Sequence, residues 1–354
     1  MVFGTGLIGG SVGLALAARG WEVSGTDDDE EVAERALARG AVHAIQVDRK
    51  ADLVVIATPV QATAAIVETL STSDGWKPDL AVTDVGGVKG QLVAGITHPG
   101  FVGGHPMAGS EQVGLDGASA DLFLGATWVL TPTERTDPNA YATVRSVVIE
   151  LGASVVDLRP DQHDRLVAVV SHVPHLTAAT LMDLAAGLGE EHNALLQLAA
   201  GGFRDMTRVA AGQPGIWPDI CDDNSEAIVT TLDLLITALG AMRRRVAERD
   251  RRSLLEILSR AAEARRSLVE RAPLPEQLVE VRVPVPDQLG TLADVTTMAA
   301  ELGVNIFDLE IAHSVEGDRG VLVLVVDALA APTLATTLVN RGYRAAGAAI
   351  GASR

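Results

Sequence analysis

A glycine-rich turn near the amino end constrains the fold of this chain more than any other feature. Gly4, Gly6 and Gly9 have the spacing G-x-G-x-x-G and separate the strand-like residues 1–3 from an apolar helical pattern. The first glycine allows a sharp turn, the second lets a pyrophosphate approach the backbone, and the third lets the helix pack closely on the strand. The pattern predicts a dinucleotide-binding β-α-β unit; the alternative is a tight strand–helix turn without a ligand.

An acidic residue at the end of the next predicted strand supports the first interpretation. Asp27 follows the strand-like residues 21–26, at about the 20-residue distance at which such motifs have their acidic residue. A carboxylate there accepts a hydrogen bond from the ribose 2′-hydroxyl and repels a 2′-phosphate, so NAD is the expected cofactor. The expected cofactor-binding residues, including two that follow a third strand, are Gly4, Gly6, Leu7, Ile8, Gly9, Asp27, Thr58 and Pro59.

Composition and charge bound the possible functions. A chain of 354 residues exceeds one ordinary domain, so two or three domains are expected. The formal net charge of −18 disfavours nucleic acid and anionic membranes as partners. The single cysteine, Cys221, cannot form an intramolecular disulfide, which indicates a cytoplasmic protein. The stretch that comes closest to membrane length, residues 166–189, is interrupted by His172, Pro174 and Asp183, so no membrane-spanning segment is expected.

Three kinds of pattern follow one another along the chain. In residues 1–158, short apolar runs alternate with helical patterns, which predicts an α/β domain with a Rossmann-type parallel sheet. Residues 159–271 are helical and are expected to form an all-helical domain for substrate binding and dimerisation. A proline-marked linker, 272–276, precedes the order βαββαβ in residues 277–354, which is the ferredoxin-like split motif. The first strand is expected to be short, or the native start to lie upstream of Met1.

One helix face in the second domain carries a seven-residue repeat. The repeat predicts an apolar stripe that either packs on the core of its own subunit or forms a seam between subunits. Because a long helical segment after a nucleotide-binding domain often builds a dimer, a stripe that packs on the core and also contacts the second subunit of a homodimer is favoured. The positions of the repeat are Ile228, Leu232, Leu235, Leu239, Met242 and Val246.

His105 is the first candidate for chemistry. Small residues surround it in Phe101-Val102-Gly103-Gly104-His105-Pro106-Met107-Ala108-Gly109-Ser110, which leaves room for a ligand beside an imidazole at the end of a predicted strand. An imidazole accepts a hydroxyl proton near neutral pH while a hydride leaves the same carbon. The alternative is a histidine that only hydrogen-bonds a loop carbonyl.

Two further histidines are predicted to lie on one face of an apolar helix. His172 and His175 are three residues apart, and Pro174 between them removes a helical hydrogen bond and predicts a kink. A kink beside two histidines indicates a polar cavity. A metal site is a weaker interpretation because no acidic or cysteine ligand has a suitable spacing, and two satisfied core histidines remain the third interpretation.

Cations are candidates for holding an anionic substrate in so acidic a chain. Arg204 and Arg208 lie in a glycine-led turn, where a guanidinium would bind a carboxylate in a bidentate manner; both could instead be solvated or paired with Asp205. Lys89, close to the predicted strand ends, is a further candidate for substrate binding.

Five runs in this sequence together resemble the prephenate dehydrogenase family. They occur in the family's order over residues 1–271, and the histidine-containing runs are the most specific of them. The runs are Gly4-Thr5-Gly6-Leu7-Ile8-Gly9-Gly10-Ser11, Asp84-Val85-Gly86-Gly87-Val88-Lys89-Gly90, Gly104-His105-Pro106-Met107-Ala108-Gly109-Ser110-Glu111, Ser171-His172-Val173-Pro174-His175 and Phe203-Arg204-Asp205-Met206-Thr207-Arg208.

The resemblance implies specific roles for several of these residues. His105 matches the catalytic histidine that polarises the ring hydroxyl of the substrate. Arg208 matches a residue that grips a carboxylate, and the family's remaining substrate-pocket positions match His175, Ser110 and Trp217. One departure matters: the family usually has a serine where this chain has Gly87, so the orientation of His105 is left to another group or to water.

The carboxyl-terminal residues resemble an ACT domain, a regulatory module that commonly binds amino acids. The resemblance rests on the loop 286–290 and on residues 303–306. It implies an amino-acid effector, with tyrosine the expected one. The implied regulatory residues are Asp287, Leu289, Gly290, Asn305 and Ile306.

The resemblance as a whole implies NAD-dependent oxidative decarboxylation of prephenate to 4-hydroxyphenylpyruvate in tyrosine biosynthesis, without a metal. Arogenate is the competing substrate. The remaining hypotheses are a generic NAD-dependent hydroxy-acid dehydrogenase, which would release no CO2, and a non-enzymatic sensor of NAD and an amino acid. The joint presence of His105, His175 and Arg208 argues against a sensor, since a sensor has no use for a base in hydride transfer.

Overall fold

The structure is a computed structural model, in which the chain divides into two units, residues 1–239 and 240–354. Each unit has a sheet and a hydrophobic core of its own. The structure describes residues 1–110, 112, 114–191, 198–269, 278–286, 288, 290–313 and 319–349.

A single mixed sheet organises the first unit. Its strands in chain order are β1 (Val2–Phe3), β2 (Ser24–Thr26), β3 (Ala44–Ile45), β4 (Leu53–Ile56), β5 (Ala81–Asp84), β6 (Phe101–Pro106), β7 (Thr127–Thr131) and β8 (Ser154–Asp157). Within the described residues they lie in the order β3-β2-β1-β4-β5-β6-β7-β8. The strands from β3 to β6 in this order are parallel, as predicted for a Rossmann-type domain.

The direction of β7 corrects the prediction of a parallel sheet throughout. β7 runs antiparallel to β6, and β8 is parallel to β7. A parallel crossover needs a connection that usually contains an α-helix. The described part of the β6–β7 connection contains only a short 3-10 turn, Gly114–Gly117. As a result, the last four residues of β6 pair with β7, and His105 lies within the strand rather than after its end.

Helices separate the strands of this sheet. They are α1 (Leu7–Ala17), α2 (Glu30–Ala38), α3 (Val60–Thr72), α4 (Gly90–Gly95) and α5 (Pro138–Glu150). The side chains of β4 alternate between two cores: Val55 packs in one with residues of α1 and α5, whereas Val54 and Ile56 pack in the other with residues of α3 and α4. A strand buried on both faces explains why its sequence is continuously apolar.

Helices dominate the remainder of the first unit and continue into the second. They are α6 (Pro160–Val167), α7 (Val173–Glu191), α8 (Gly201–Thr207), α9 (Trp217–Asp223), α10 (Ser225–Glu248) and α11 (Arg251–Val269). A π-helical turn, Ala168–His172, joins α6 to α7, and the amide of Val173 donates to the carbonyl of Ala168 five residues earlier. Pro174 leaves the Val170 carbonyl without its helical donor, and the structure has this widened turn directly before Pro174, after which the helix continues; the predicted kink stays a prediction.

This continuity corrects the expectation that no segment reaches membrane length. The stretches Pro160–Leu188 and Ser225–Glu248 are long and apolar enough to span a bilayer by length and composition, because Pro174 does not end the first of them. In the apolar 18-residue segment of each stretch, only 28% and 6%, respectively, is buried within the structure. Within the repeat on α10, Ile228 packs in a core, whereas Leu239 and Val246 are 55% and 60% exposed.

The second unit contains the predicted βαββαβ order. Its elements after α11 are β9 (Leu278–Pro286), α12 (Thr291–Glu301), β10 (Ile306–His313), β11 (Arg319–Asp327), α13 (Ala331–Asn340) and β12 (Ala346–Ala349). The strands form an antiparallel sheet in the order β10-β11-β9-β12, which is the ferredoxin-like arrangement. The predicted linker, 272–276, lies outside the described residues.

The core of this second sheet provides a test of its packing. Leu324, in the central strand β11, is fully buried against residues of β9, α12 and α13, whereas Leu329 is 91% exposed. Leu324→Ala is expected to lower the free energy of unfolding by about 2–5 kcal/mol because it leaves a cavity. The matched Leu329→Ala should lower it by about 0.5 kcal/mol or less. Amide hydrogen exchange over β9 and β11 measures the difference. Equal protection in both variants would contradict this core.

Candidate active site

The carboxyl ends of three neighbouring strands meet at one edge of the first sheet. Phe3, Ile56 and Asp84, the last residues of β1, β4 and β5, are in register with one another. The glycine turn follows the first of these strands, and Thr58 follows the second. Ligands of open parallel sheets bind at this edge.

The glycine turn has the shape that a dinucleotide needs. Gly4 has φ +81°, and a Cβ on Gly9 would lie 1.9 Å from the carbonyl oxygen of Gly4, so neither position accepts a side chain. A Cβ on Gly6 would instead meet nothing within 4 Å, which leaves its backbone open to a ligand. α1 begins at Leu7 without a side-chain cap, so its first amides point towards the space where a phosphate would bind.

Asp27 lies beside this turn, as the sequence predicted. Its Oδ2 accepts hydrogen bonds from the amide of Thr5 at 2.6 Å and from the Thr5 hydroxyl at 3.2 Å. The carboxylate is therefore held at the end of β2 next to the glycine turn, where a ribose would lie. Pro59 caps α3 on the neighbouring strand connection. These residues fit an NAD molecule by their own geometry.

His105 lies on the part of β6 that extends beyond β5, opposite Val129 of β7. Burial, then the Lys89 ammonium, with His163 and His172 as lesser causes, holds the pKa of His105 well below its ordinary value. The ring is therefore neutral at physiological pH. A Cβ on Gly87 would lie 3.8 Å from His105 Nε2, so this nitrogen faces the space where the family's serine would project.

A second histidine and a carboxylate hold the other side of the His105 ring. His105 Nδ1 lies 2.8 Å from His163 Nε2, and His163 Nδ1 lies 2.8 Å from Asp164 Oδ1. Neither His163 nor Asp164 was among the site residues expected from the sequence. The available signal was an adjacent His-Asp pair in the first turns of a helix that directly follows the last strand of the sheet.

Lys89 does not have the substrate-binding role that was expected from the sequence. Its side chain is fully buried, and its ammonium donates to Asp84 Oδ2 at 2.6 Å and to the carbonyls of Gly86 and Val88 at 2.7 and 3.1 Å. All three of its donors are thus used within the protein. Asp84 Oδ1 accepts the amide of Gly104 at 3.0 Å, so the pair fixes the loop after β5 to the strand that carries His105.

The predicted histidine pair joins the same network through Asn224. The Asn224 side-chain amide lies 2.9 Å from the Asp164 carbonyl, to which it donates, and 3.1 Å from His172 Nδ1. Burial lowers the pKa of His172 to about 4, so this ring is neutral at physiological pH. His172 thus has a partner and supports the site.

Trp217 connects the two helical histidines. Its ring stacks on His175 with a centroid distance of 3.7 Å and an interplanar angle of 14°, and it meets His172 edge-on at 6.2 Å. A chain of contacts therefore runs from His105 to the predicted pocket residues His175 and Trp217.

The remaining candidates, Arg208, Ser110 and Arg204, are exposed, and Arg204 lies in α8 rather than in the predicted turn. Arg208 is exposed and opens the 3-10 turn Arg208–Ala211, which packs against the helix that carries His175. Ser110 is exposed in the loop after β6, and its hydroxyl accepts the amide of Gln112. Arg204 donates to the carbonyl of Ala199.

Comparison with known proteins identifies the family. A model described as "Prephenate dehydrogenase, nucleotide-binding domain" matches residues 12–157, and one described as "Prephenate dehydrogenase, dimerization domain" matches residues 159–260. The chain belongs to the prephenate dehydrogenase family. The family resemblance inferred from the sequence is confirmed by these matches.

Similar proteins within and near this family are known from several bacteria. A prephenate dehydrogenase from Bacillus subtilis is 33% identical over 91% of this chain and 90% of its own length. The structure of prephenate dehydrogenase from Aquifex aeolicus with hydroxyphenyl propionate and NAD+ is 29% identical, with a TM-score of 0.71 over 75% of this chain and 96% of that chain. Arogenate dehydrogenase from Synechocystis is 32% identical, with a TM-score of 0.67 over 75% of this chain and 98% of that chain.

The buried ion pair beneath the site gives a stability prediction. Lys89→Met leaves the Asp84 carboxylate buried without its cation, which is expected to lower the free energy of unfolding by about 3–5 kcal/mol. The matched Lys77→Met removes an ion pair with Asp52 whose side chains are 37% and 78% exposed, and it should cost about 0–1 kcal/mol. Urea unfolding followed by tryptophan fluorescence measures both. Similar losses would contradict the structural role of Lys89.

Proposed function

We propose that the protein catalyses the NAD-dependent oxidative decarboxylation of prephenate to 4-hydroxyphenylpyruvate in tyrosine biosynthesis. The observation that carries the proposal is the position of His105 Nε2. This nitrogen belongs to a neutral ring and faces the space beside Gly87, at the sheet edge that also holds the glycine turn. The names of the Bacillus and Aquifex relatives support the same substrate and cofactor.

The chemistry needs one base and one hydride acceptor. NAD, when bound at the glycine turn, accepts a hydride from C4 of the substrate ring. His105 Nε2 accepts the proton of the C4 hydroxyl, so that a carbonyl begins to form. The electrons of the breaking bond between C1 and the carboxylate carbon then enter the ring, CO2 leaves and the ring becomes aromatic. His105 Nε2 returns the proton to the C4 oxygen, which gives the hydroxyl group of 4-hydroxyphenylpyruvate. Assistance by such a base is worth about 10²–10⁴ in rate.

The neutrality of His105 suits this role. A protonated ring could not accept the hydroxyl proton, and the lowered pKa of His105 keeps the ring deprotonated at physiological pH. Since the protonated ring is inactive, kcat is expected to fall only when the pH drops through this lowered pKa, below about 6.5. The rate should stay level above it.

We propose four residues for substrate binding. The Arg208 guanidinium binds a substrate carboxylate, because its planar fork of N–H groups can donate to both carboxylate oxygens. His175 and Trp217, which stack on each other, form a wall of the pocket. Ser110 contributes its hydroxyl from the loop after β6. Arogenate, which has an amino group in place of the keto group, is the second candidate substrate, favoured by the similarity to the Synechocystis enzyme.

We propose a cytoplasmic homodimer with the predicted domain limits of 1–158, 159–271, 272–276 and 277–354. The match to a dimerization domain supports the dimer. The exposed side chains of Leu239 and Val246 on α10 would be buried at its seam, and a second copy, rather than a bilayer, would cover the apolar helices. Cys221 is a free thiol, which is compatible with a reducing compartment.

We propose further that the carboxyl-terminal ferredoxin-like unit is an ACT domain that binds tyrosine. Gly290, in the left-handed region with φ +94°, caps α12, and Asn305 is exposed immediately before Ile306 opens β10. Asp287 and Leu289 lie outside the described residues. Regulation requires that tyrosine bind the active and inactive states with different affinity.

The activity is tested by NADH absorbance with prephenate and arogenate in parallel. The wild-type protein is expected to produce NADH and CO2 with prephenate at the higher kcat/KM. His105→Asn should lower kcat by about 10²–10⁴ through loss of the base. A fall of less than about tenfold would exclude general-base assistance by His105, and a higher kcat/KM for arogenate would reassign the substrate.

The regulatory proposal has its own measurement. Millimolar tyrosine is expected to lower the rate of prephenate oxidation, and truncation after Pro275 should remove this inhibition while turnover persists. Phenylalanine serves as the control effector. No response to tyrosine, or inhibition that survives truncation, would contradict a tyrosine-binding ACT domain, and activation would contradict inhibition by tyrosine.

A further inference from the structure

We infer that His163, held by Asp164, is a positioning residue that fixes the His105 ring with its Nε2 lone pair towards the substrate and stabilises the proton that this ring receives. The inference rests on the proposed function, because it assigns a partner to the base of that reaction. The three side chains of Asp164, His163 and His105 are joined by two hydrogen bonds, whose directions determine where the ring hydrogens lie.

Asp164 is the fixed end of this chain. Its Oδ1 accepts the amide of Lys89 at 2.8 Å and its Oδ2 accepts the amide of Gly90 at 2.7 Å. Two backbone donors favour the ionised carboxylate, which can only accept hydrogen bonds. The third contact, at 2.8 Å from Oδ1, therefore requires His163 Nδ1 to carry a hydrogen.

The tautomers of both imidazoles follow from that hydrogen. In the neutral form of His163 this hydrogen on Nδ1 is its one N–H, and Nε2 is then the acceptor in the contact of 2.8 Å with His105 Nδ1. His105 then carries its hydrogen on Nδ1 and its lone pair on Nε2. This is the tautomer that a base facing Gly87 requires.

On the opposite side of the ring, position 87 offers no side chain that could orient it. Residue 87 is a glycine, and a Cβ there would lie 3.8 and 3.9 Å from His105 Nε2 and Cε1. A serine at this position could reach the ring, but Gly87 has no side chain with which to do so. His163, fully buried on the other side, thus supplies the orientation that the serine would otherwise provide.

The same contact acts during the reaction. When the substrate O–H bond breaks and an N–H bond forms at Nε2, His105 becomes an imidazolium in a site where burial and the Lys89 ammonium oppose positive charge. Its Nδ1–H then donates a stronger hydrogen bond to His163, whose own N–H points to the Asp164 carboxylate. This follows the logic of a hydrolase triad, in which the carboxylate orients the histidine and remains ionised.

Three substitutions separate positioning from simple packing. His163→Leu keeps a similar volume but removes the acceptor. His163→Gln keeps an oxygen acceptor near the position of Nε2. Asp164→Asn removes the negative charge, while its one carbonyl oxygen, in the place of Oδ1, still accepts from the Lys89 amide and from His163 Nδ1.

A fourth variant is the matched control. His98→Gln replaces a half-buried histidine that accepts the amide of Gly100 at 3.0 Å, at the opposite end of β6 from His105. It tests whether loss of a hydrogen-bonded histidine just before this strand lowers the rate. Its kinetics are expected to match those of the wild-type protein.

The experiment measures kcat, the KM of prephenate and of NAD, and the thermal midpoint for each variant. His163→Leu is expected to lower kcat by about 10- to 100-fold with little change in either KM, because orientation of the base matters in the transition state. His163→Gln should recover much of this loss. Asp164→Asn should also lower kcat, because a neutral amide stabilises the proton on His105 less than a carboxylate does.

The pH profile of the His163→Gln variant adds a readout that packing would not move. The charged or titratable groups around His105 are Lys89, His163 and His172. With the carboxylate-linked acceptor replaced by an amide, the imidazolium is less stable, and the acid limb of kcat should move to lower pH.

Each outcome decides the matter, even if His163→Leu fails to fold. The inference would be overturned by equal kcat in His163→Leu and His163→Gln, or by a change confined to KM. It would also be overturned if both His163→Gln and Asp164→Asn had the kcat and the pH profile of the wild-type protein. Failure of the proposed function looks different: the wild-type protein would then produce no NADH from either cyclohexadienol.

Discussion

The contact between Asp164 and the backbone amides of Lys89 and Gly90 is the interaction on which the site depends. It attaches the first helix of the helical segment to the loop after β5, so that His163 reaches across to β6. Three elements that are far apart in sequence are thereby fixed around one imidazole. Without this attachment, neither the position of the His105 ring nor its tautomer would be defined.

A buried ion pair supports the same loop from below. Lys89 and Asp84 are both inaccessible to solvent and form an ion pair. Lys89 also donates to two backbone carbonyls, and Asp84 accepts the amide of Gly104. Such a pair contributes geometry more than net stability, because the cost of removing two charges from water offsets much of their attraction. Its positive charge also helps to keep His105 neutral, so one structural pair influences both the shape and the protonation of the site.

Local patterns predicted much of this fold. The glycine turn and Asp27 were found from sequence because their roles depend on backbone geometry within one β-α-β unit. The buried strand β4 and the βαββαβ order were found because apolar runs and periodicity report burial directly. The direction of β7 was missed because it depends on whether a helix occurs in the preceding connection, which the small and polar residues there did not reveal.

The candidate site was predictable only in part. His105, His175 and Trp217 were predicted as site residues, and the structure links them by contacts, while their roles stay predictions. His163 was missed because its partner on β6 is 58 residues away, and no local spacing reports such a contact. Lys89 was misinterpreted because a cation near the strand ends can point into the cleft or back into its own loop, and only the fold decides between them.

The central claim is that the chain of hydrogen bonds leaves His105 with a bare Nε2. Long-range proton–nitrogen correlation spectra of histidine-labelled protein, with the His105 signals assigned by comparison with His105→Asn, report which ring nitrogen carries the hydrogen. The structure predicts a protonated Nδ1 and an unprotonated Nε2 at neutral pH in the absence of ligand. A hydrogen found on Nε2 of His105, with Nδ1 bare, would contradict the account.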